Sequence, residues 1–132
     1  MKIKVLFLLP MFLMFFGCTS DNNSTPEKET LKNVTYEVLL FEYTPDTGNN
    51  TSRFRYDIQF INSNNVALKG VPKLTMNYDG LIISPIARNP VCTEIGANSS
   101  CKVSYDVESA LTPQNGTLKS IKLVSVEYIL SN

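Results

Sequence analysis

Alternation of apolar and polar residues predicts β-strands along most of this chain. The clearest strand covers residues 53–61, in which every second side chain is apolar: Phe54, Tyr56, Ile58 and Phe60. Charged and amide side chains lie between them, so one face should pack on a core while the other meets water. Strand patterns also cover residues 34–43, 66–68, 71–78, 81–83, 101–107 and 117–130.

Two of these segments change phase, which predicts a β-bulge in the last strand and, in the first, either a β-bulge or a strand end buried on both sides. Near Leu39 the apolar residues shift from even to odd positions, and the reverse shift occurs near Leu123. Because side chains alternate with a period of two, one extra residue in each strand explains the shift.

Turn-forming residues separate the strands. They are concentrated at residues 44–51, 62–65, 95–100 and 109–116, and Asp79-Gly80 predicts a tight hairpin. No helical period is found outside the N-terminal segment. The pattern predicts an all-β fold, a two-sheet antiparallel sandwich of about seven strands over residues 33–132.

The first 17 residues have a different character and predict a secretory signal peptide. Lys2 and Lys4 precede an apolar run over residues 5–16, which is followed by Gly17-Cys18. A helix that spans a bilayer needs roughly 20 apolar residues, so this shorter run favours a removable signal.

The residues Phe15-Phe16-Gly17-Cys18 resemble a bacterial lipobox. The resemblance implies cleavage before Cys18 and lipidation of its thiol. The two phenylalanines depart from the usual leucine and small residue, whereas the Gly-Cys pair is retained. An ordinary signal peptide with an unmodified Cys18 thiol is the alternative.

Residues 18–32 predict a flexible tether that begins at the lipidated cysteine, because the segment is polar and has no periodicity. Thr19 stands where an inner-membrane retention signal would have aspartate. Ser20-Asp21 and the asparagines after it resemble the acidic export tags of Bacteroidetes-type surface lipoproteins. This implies an outer-membrane or cell-surface location, and a solvated spacer is the alternative.

The length and charge of the chain limit the kinds of partner that it can bind. Removal of residues 1–17 leaves 115 of the 132 residues, enough for one domain, with ten basic and twelve acidic side chains. The charges are scattered, so we expect no nucleic-acid partner and no basic face for lipid headgroups. Membrane association is expected to come through the N-terminal lipid.

Cys92 and Cys101 are the two cysteines left after Cys18, and they predict a structural disulfide. An even pair in an oxidising compartment is normally bonded. Their separation of nine residues differs from a CxxC redox site and from the inter-sheet bridge of antibody domains. We therefore expect the bond to hold a local loop or hairpin.

Little in the chain suggests catalysis or metal binding. It has no histidine, no phosphate-binding loop and no nucleophile elbow. Asp106 and Glu108 are expected on a solvated strand face, and the turns at Asp46 and Asp79 hold too few carboxylates for calcium. Most of the six tyrosines fall in phase with core residues, which favours packing over a sugar-binding platform. We expect no enzyme, catalytic residue, cofactor or metal.

Residues 92–123 resemble the C-terminal half of the immunoglobulin-like modules of bacterial envelope proteins related to ASH domains. The matching residues are Cys92, Ile95, Asn98, Ser100, Cys101, Val103, Tyr105, Val107, Gly116 and Leu118. Asn98 replaces the usual turn glycine, and Glu108 departs from the usual strand ending. Residues 60–65 are similar to an earlier strand and Asn-rich turn of such modules. The resemblance implies an immunoglobulin-like, non-catalytic domain.

These observations predict a lipid-anchored envelope protein whose immunoglobulin-like domain binds a protein or a glycan. The alternative is an accessory subunit of a periplasmic or envelope complex, which would act through an unpaired edge strand.

Overall fold

A computed structural model describes residues 30–85, 90–112 and 118–131. Within these ranges it contains seven strands and no helix. The strands are β1 (Thr35–Thr44), β2 (Thr51–Asn62), β3 (Leu68–Tyr78), β4 (Leu81–Ile83), β5 (Glu94–Ile95), β6 (Ser99–Ala110) and β7 (Ile121–Leu130).

The strands form two antiparallel sheets, which confirms the predicted all-β sandwich. The first sheet has the order β1-β2-β6. In the second, β7 pairs with one edge of β3, while β4 and β5 pair with opposite ends of its other edge. Tyr43 at the end of β1 donates a hydrogen bond to the Leu118 carbonyl just before β7, so β1 and β7 run in opposite directions.

Both predicted bulges are present. The β1–β2 register shifts between Val38 and Leu40, and the β3–β7 register shifts where Thr75 and Met76 face Ser125 and Leu123. Leu39 and Val124 are therefore the extra residues. The bulge at Leu39 places Tyr36, Val38, Phe41 and Tyr43 on the inner face of β1, opposite inward residues of β2.

The core lies between the sheets. Its buried residues are Ile58, Phe60, Leu74, Met76, Cys92, Ile95, Val103, Ile121 and Val126. The alternating residues of β2 that the sequence assigns to one face supply its centre, since Ile58 and Phe60 are almost completely buried.

Several predicted boundaries were wrong. Residues 66–68 and 71–78 were expected as two strands, but Leu68–Tyr78 is one continuous strand that passes through Gly70. The predicted turn at residues 95–100 contains the end of β5 and the start of β6. The last strand begins at Ile121 instead of residue 117, because Leu118 to Ser120 form the turn that Asp79 binds.

Gly70 is needed at its position because two backbones approach closely there. A Cβ atom built on Gly70 would lie 2.6 Å from a ring carbon of Tyr128 and would overlap the Ile129 carbonyl. The Tyr128 ring covers the space that a side chain at Gly70 would fill. A glycine in a strand interior often marks such an approach.

The strand order is immunoglobulin-like. β1, β2 and β6 correspond to the first, second and fifth strands of that sandwich, and β3 and β7 correspond to the paired third and sixth strands. In an immunoglobulin domain a further strand lies beside the sixth. No strand formed by residues 30–85, 90–112 or 118–131 takes that place beside β7.

Candidate functional site: the open edge of β7

The backbone of β7 presents hydrogen-bonding groups on the edge that faces away from β3. Ser131 donates its N–H to the Lys69 carbonyl, so residues 129 and 127 also direct their polar groups toward β3. The alternate residues Val126, Tyr128 and Leu130 therefore direct their N–H and C=O groups outward. Across the described part of the chain, no strand pairs with this edge.

Apolar side chains that face the core are exposed along the same edge. Tyr36 and Val38 of β1 lie opposite the buried Phe60 and Ile58, yet they are 48% and 40% exposed. Leu130 of β7 lies opposite Gly70 and is 40% exposed. We call these three residues, together with the outer edge of β7, the open seam.

The open seam exists because β1 and β7 belong to different sheets and do not pair with each other. Inward-facing residues at two neighbouring, unjoined sheet edges can be covered only by a further element. A strand placed beside β7 would bury them and would satisfy the edge amides of β7 at the same time.

Charges differ between the two ends of the seam. Glu37, near the start of β1, has no ion-pair partner within the described ranges. Lys122, near the start of β7, likewise forms no ion pair with a described residue. Because the two strands are antiparallel, Glu37 and Lys122 lie near opposite ends of the seam, with their side chains on the outer faces of the two sheets.

Cys92 and Cys101 are placed for the disulfide that the sequence predicts, with their Cα atoms 5.8 Å apart. The pair closes a local loop, as expected. Cys101 lies on β6 of the first sheet, whereas Cys92 precedes β5 of the second, so the pair also ties the two sheets together at this edge. The sequence predicted a bridge that pins a local loop or hairpin; the additional link between the two sheets was not expected.

The lipidation site Cys18, the signal peptide over residues 1–17 and most of the 18–32 tether lie outside the described residues. The end of the tether is ordered by Asn64, which accepts a hydrogen bond from the Lys32 N–H and donates one to the Lys32 carbonyl. In the described part of the chain, no helix is long and apolar enough to cross a membrane.

The carboxylates considered for catalysis have structural partners. Asp106 accepts two hydrogen bonds from Arg53 on the exposed face of the first sheet, and this contact lowers the pKa of Asp106. Glu108 accepts one from Thr51. Among the described residues, no group of three or more metal-ligating side chains converges.

The two turns considered for calcium bind backbone amides. Asp46 accepts a hydrogen bond from the Gly48 N–H, which is an Asx turn. Asp79 reaches across to the N–H groups of Lys119 and Ser120 at 2.7 Å. These bonds lower the pKa of Asp79, the Lys119 amide most strongly.

Comparison with known proteins adds little. No family model matches the chain. No curated protein matches it. One similar solved structure is described as the X-ray structure of Northeast Structural Genomics Consortium target SoR45. The match covers 76% of this chain and 88% of that chain, with 14% sequence identity and a TM-score of 0.41.

The residues of the open seam were only partly accessible to sequence reasoning. Tyr36 and Val38 read as ordinary core positions, and the pattern assigns their face correctly. Their exposure depends on which strand edges remain unpaired, which alternation along one strand does not encode. The sequence provided only a general indication, namely an immunoglobulin-like resemblance and about seven predicted strands.

Proposed function

We propose that this chain is a lipid-anchored, non-catalytic protein of the cell envelope that binds a partner protein by accepting one of its strands beside β7. Cys18 carries the lipid, and residues 19–32 connect it to the sandwich. Anchoring at the outer membrane or cell surface follows from the resemblance of residues 15–21 to lipoprotein signals. Binding through a strand edge corresponds to the alternative that the sequence leaves open, an accessory subunit of an envelope complex.

The observation that supports this function is the open seam. An unpaired edge supplies main-chain hydrogen bonds, and the exposed inner side chains supply pockets for alternate residues of an incoming strand. Addition of a strand satisfies both, whereas a folded surface docked on the seam would leave the amides of Val126, Tyr128 and Leu130 unpaired.

The seam also defines the strand that fits. Paired antiparallel to β7, it would run parallel to β1, with every second residue apolar and directed toward Val38 and Leu130. Its first residues would lie near Glu37 and its last near Lys122.

A crosslinking experiment in cells tests the proposal. A photo-crosslinking amino acid is placed at Val38 or Leu130, each 40% exposed, and, as a control, at Ile82, a 58% exposed apolar residue on β4. The two seam positions should yield the same discrete adduct, and Ile82 should not. Crosslinks confined to Ile82, or none at the seam, would contradict the proposal.

Hydrogen exchange on the complex with the crosslinked partner then tests the binding mode. The outward amides of Val126, Tyr128 and Leu130 should exchange more slowly in the complex. The amides of Glu127 and Ile129, which already bond to β3, should change much less. Uniform protection of both sets would indicate surface docking instead of strand addition.

A further inference from the structure

A second candidate site lies at the other end of the sandwich, away from Lys32, where the sheets separate around a cleft of about 270 Å³. Aromatic rings of Tyr43, Phe54, Tyr78 and Tyr105 line it, together with the hydroxyl groups of Ser52 and Ser109. No charged side chain is among its lining residues in the described part of the chain.

Tyr105 is the central residue of the cleft. It lies on the inner face of β6, opposite Tyr56, yet it is 40% exposed. One face of its ring stacks on Tyr56, with the centroids 5.2 Å apart and the planes within 8°. Tyr105 lines both this cleft and the adjacent pocket. Its ring is therefore held in place by Tyr56, while the rest of its surface faces open space.

The phenol groups around Tyr105 are available to a ligand. Within residues 30–85, 90–112 and 118–131, the Tyr105 hydroxyl has no hydrogen-bond partner, and the Tyr78 hydroxyl reaches only the Met76 sulfur, at 3.7 Å. Burial raises the pKa of Tyr78, and the nearby Tyr105 phenol raises it further. The Tyr78 phenol therefore stays protonated and can donate a hydrogen bond.

The lining determines the class of ligand. Ring faces pack against C–H groups, hydroxyls exchange hydrogen bonds with other hydroxyls, and the lack of charge disfavours an ionic ligand. Sites for drug-sized molecules have volumes of roughly 300–1,000 Å³, so a cleft of this size fits about one ring. We propose that the cleft around Tyr105 binds one neutral sugar ring, either a free monosaccharide or the end residue of a glycan.

The cleft lies away from the exposed side chains of the open seam, since Tyr36 and Val38 pair with Phe60 and Ile58 toward the other end of β2. β2 runs from Ser52 at the cleft to Asn62 beside the Lys32 attachment, a distance of roughly 30 Å at the rise of an extended strand. The cleft would thus lie at the end of the domain far from the anchor. The tyrosines face inward as the alternation predicts. Because the sheets separate at this end, Tyr43, Tyr78 and Tyr105 line an open cleft.

Tyrosine NMR of the purified full-length protein tests the proposal. The six tyrosines carry ring ¹³C labels, and each signal is assigned from its Tyr→Phe variant. The probes are glucose, galactose, mannose, N-acetylglucosamine and cellobiose, with glucuronate as the charged control. The Tyr78 and Tyr105 signals should shift saturably with at least one neutral sugar, and the Tyr36 signal should not.

Variants of Tyr105 test whether the ring and its hydroxyl make the contacts. Tyr105→Phe keeps the ring and should weaken binding about 2- to 10-fold, the effect of one neutral hydrogen bond. Tyr105→Ala should weaken it more than tenfold. Ser109→Ala gives a second, smaller probe if Tyr105→Ala does not fold. The matched control Tyr36→Phe should bind as the parent protein does.

The experiment distinguishes the two kinds of sugar ligand and tests the cleft independently of the seam. Tighter binding of cellobiose than of glucose would identify a glycan end, and equal binding a free monosaccharide. No shift at Tyr78 and Tyr105 with any neutral sugar, or equal affinity for glucuronate and glucose, would overturn the proposal. Blocking the seam with Leu130→Lys should leave sugar binding unchanged, so the two proposed sites can fail independently.

Discussion

Asn62 shows how much one side chain contributes to this fold. It is completely buried at the end of β2. Its amide nitrogen donates to the carbonyls of Val66, Ile95 and Gly96, and its oxygen accepts from the backbone and side chain of Asn64. This one amide therefore joins the β2–β3 loop, β5 and the residue that holds the end of the tether.

Replacement of Asn62 by alanine should lower the free energy of unfolding by about 2–4 kcal/mol. The change leaves buried carbonyls without donors, and each such loss costs roughly 1–3 kcal/mol. Urea unfolding followed by circular dichroism measures the effect. Asn65→Ala, an exposed change in the same turn, is the control and should cost less than about 0.5 kcal/mol. Equal losses for the two variants would contradict this role of Asn62.

Asp79 should make the stability pH-dependent in acid. Its pKa is lower in the folded protein than in the unfolded chain, so the folded state favours the ionised carboxylate. That stabilisation is complete above the unfolded pKa of about 4 and is lost as pH falls through the folded pKa. The urea midpoint should therefore fall on acidification below about pH 4.

Asp79→Asn tests this assignment. The variant should have a lower urea midpoint at pH 7 and a shallower decline in acid, because its side chain does not titrate. Asp106 also has a lowered pKa, through Arg53, so part of the decline should remain. An unchanged acid profile in Asp79→Asn would show that the carboxylate at Asp79 has no such role.

Asn98 is a residue whose conformation the sequence anticipates. It stands at the position of the turn glycine in the modules that residues 92–123 resemble, and asparagine tolerates the left-handed region. Its φ of 47° lies in that region. Cys92 also has a positive φ, 59°, and nothing in the sequence pattern indicates it.

Among the elements, β5 depends most on tertiary contacts. It has two residues, Glu94 and Ile95, which pair with Lys69 and Leu68 at the start of β3. The adjacent Cys92 lies in the core, and its carbonyl accepts a hydrogen bond from the Tyr128 hydroxyl. The cysteine pair therefore holds a segment that is too short to pair stably alone.

Reduction of the Cys92–Cys101 pair should cost about 2–3 kcal/mol, the chain-entropy value for a loop of about ten residues. We expect the double variant Cys92→Ser/Cys101→Ser to show the same loss in urea unfolding, and to be insensitive to reductant. Thiol labelling of the unfolded, unreduced parent protein should find neither cysteine reactive. Free thiols at these positions would contradict the disulfide.

At the scale of the whole molecule, the chain entry point and the tyrosine cleft lie at opposite ends of the sandwich. The chain enters the sandwich at Lys32, beside Asn64 and the end of β2, and the tyrosine cleft opens at the opposite end. A lipid on Cys18 would thus hold the cleft away from the membrane, with the open seam running between the two ends.

Cys18→Ser should abolish lipid labelling and move the protein from the detergent phase to the aqueous phase. The physical reason is that each buried methylene of an acyl chain contributes about 0.8 kcal/mol to membrane binding, and the scattered Lys and Arg residues of the sequence predict no basic face to replace it. Cys92→Ser/Cys101→Ser is the matched cysteine control and should still partition into detergent. Membrane retention of Cys18→Ser would contradict the lipoprotein assignment.

The strands and their faces could be predicted because alternation is a local property. Ile58 and Phe60 point inward wherever β2 lies in the sheet. The bulges at Leu39 and Val124 follow from the same two-residue period, because each changes the phase of the alternation. The Asp79-Gly80 hairpin is equally local. Each of these features depends on residues within one turn or strand.

The pairing of edges, by contrast, depends on residues far apart in the chain. Alternation places Tyr36, Val38 and Tyr105 inside but does not say whether another strand covers them. That depends on β1 and β7 meeting without pairing, and on the sheets separating around Tyr105. The hydrogen bonds of Asn62 are also long-range features, since its partners lie up to 34 residues away. Both candidate sites arise from such long-range geometry, which a single strand pattern does not carry.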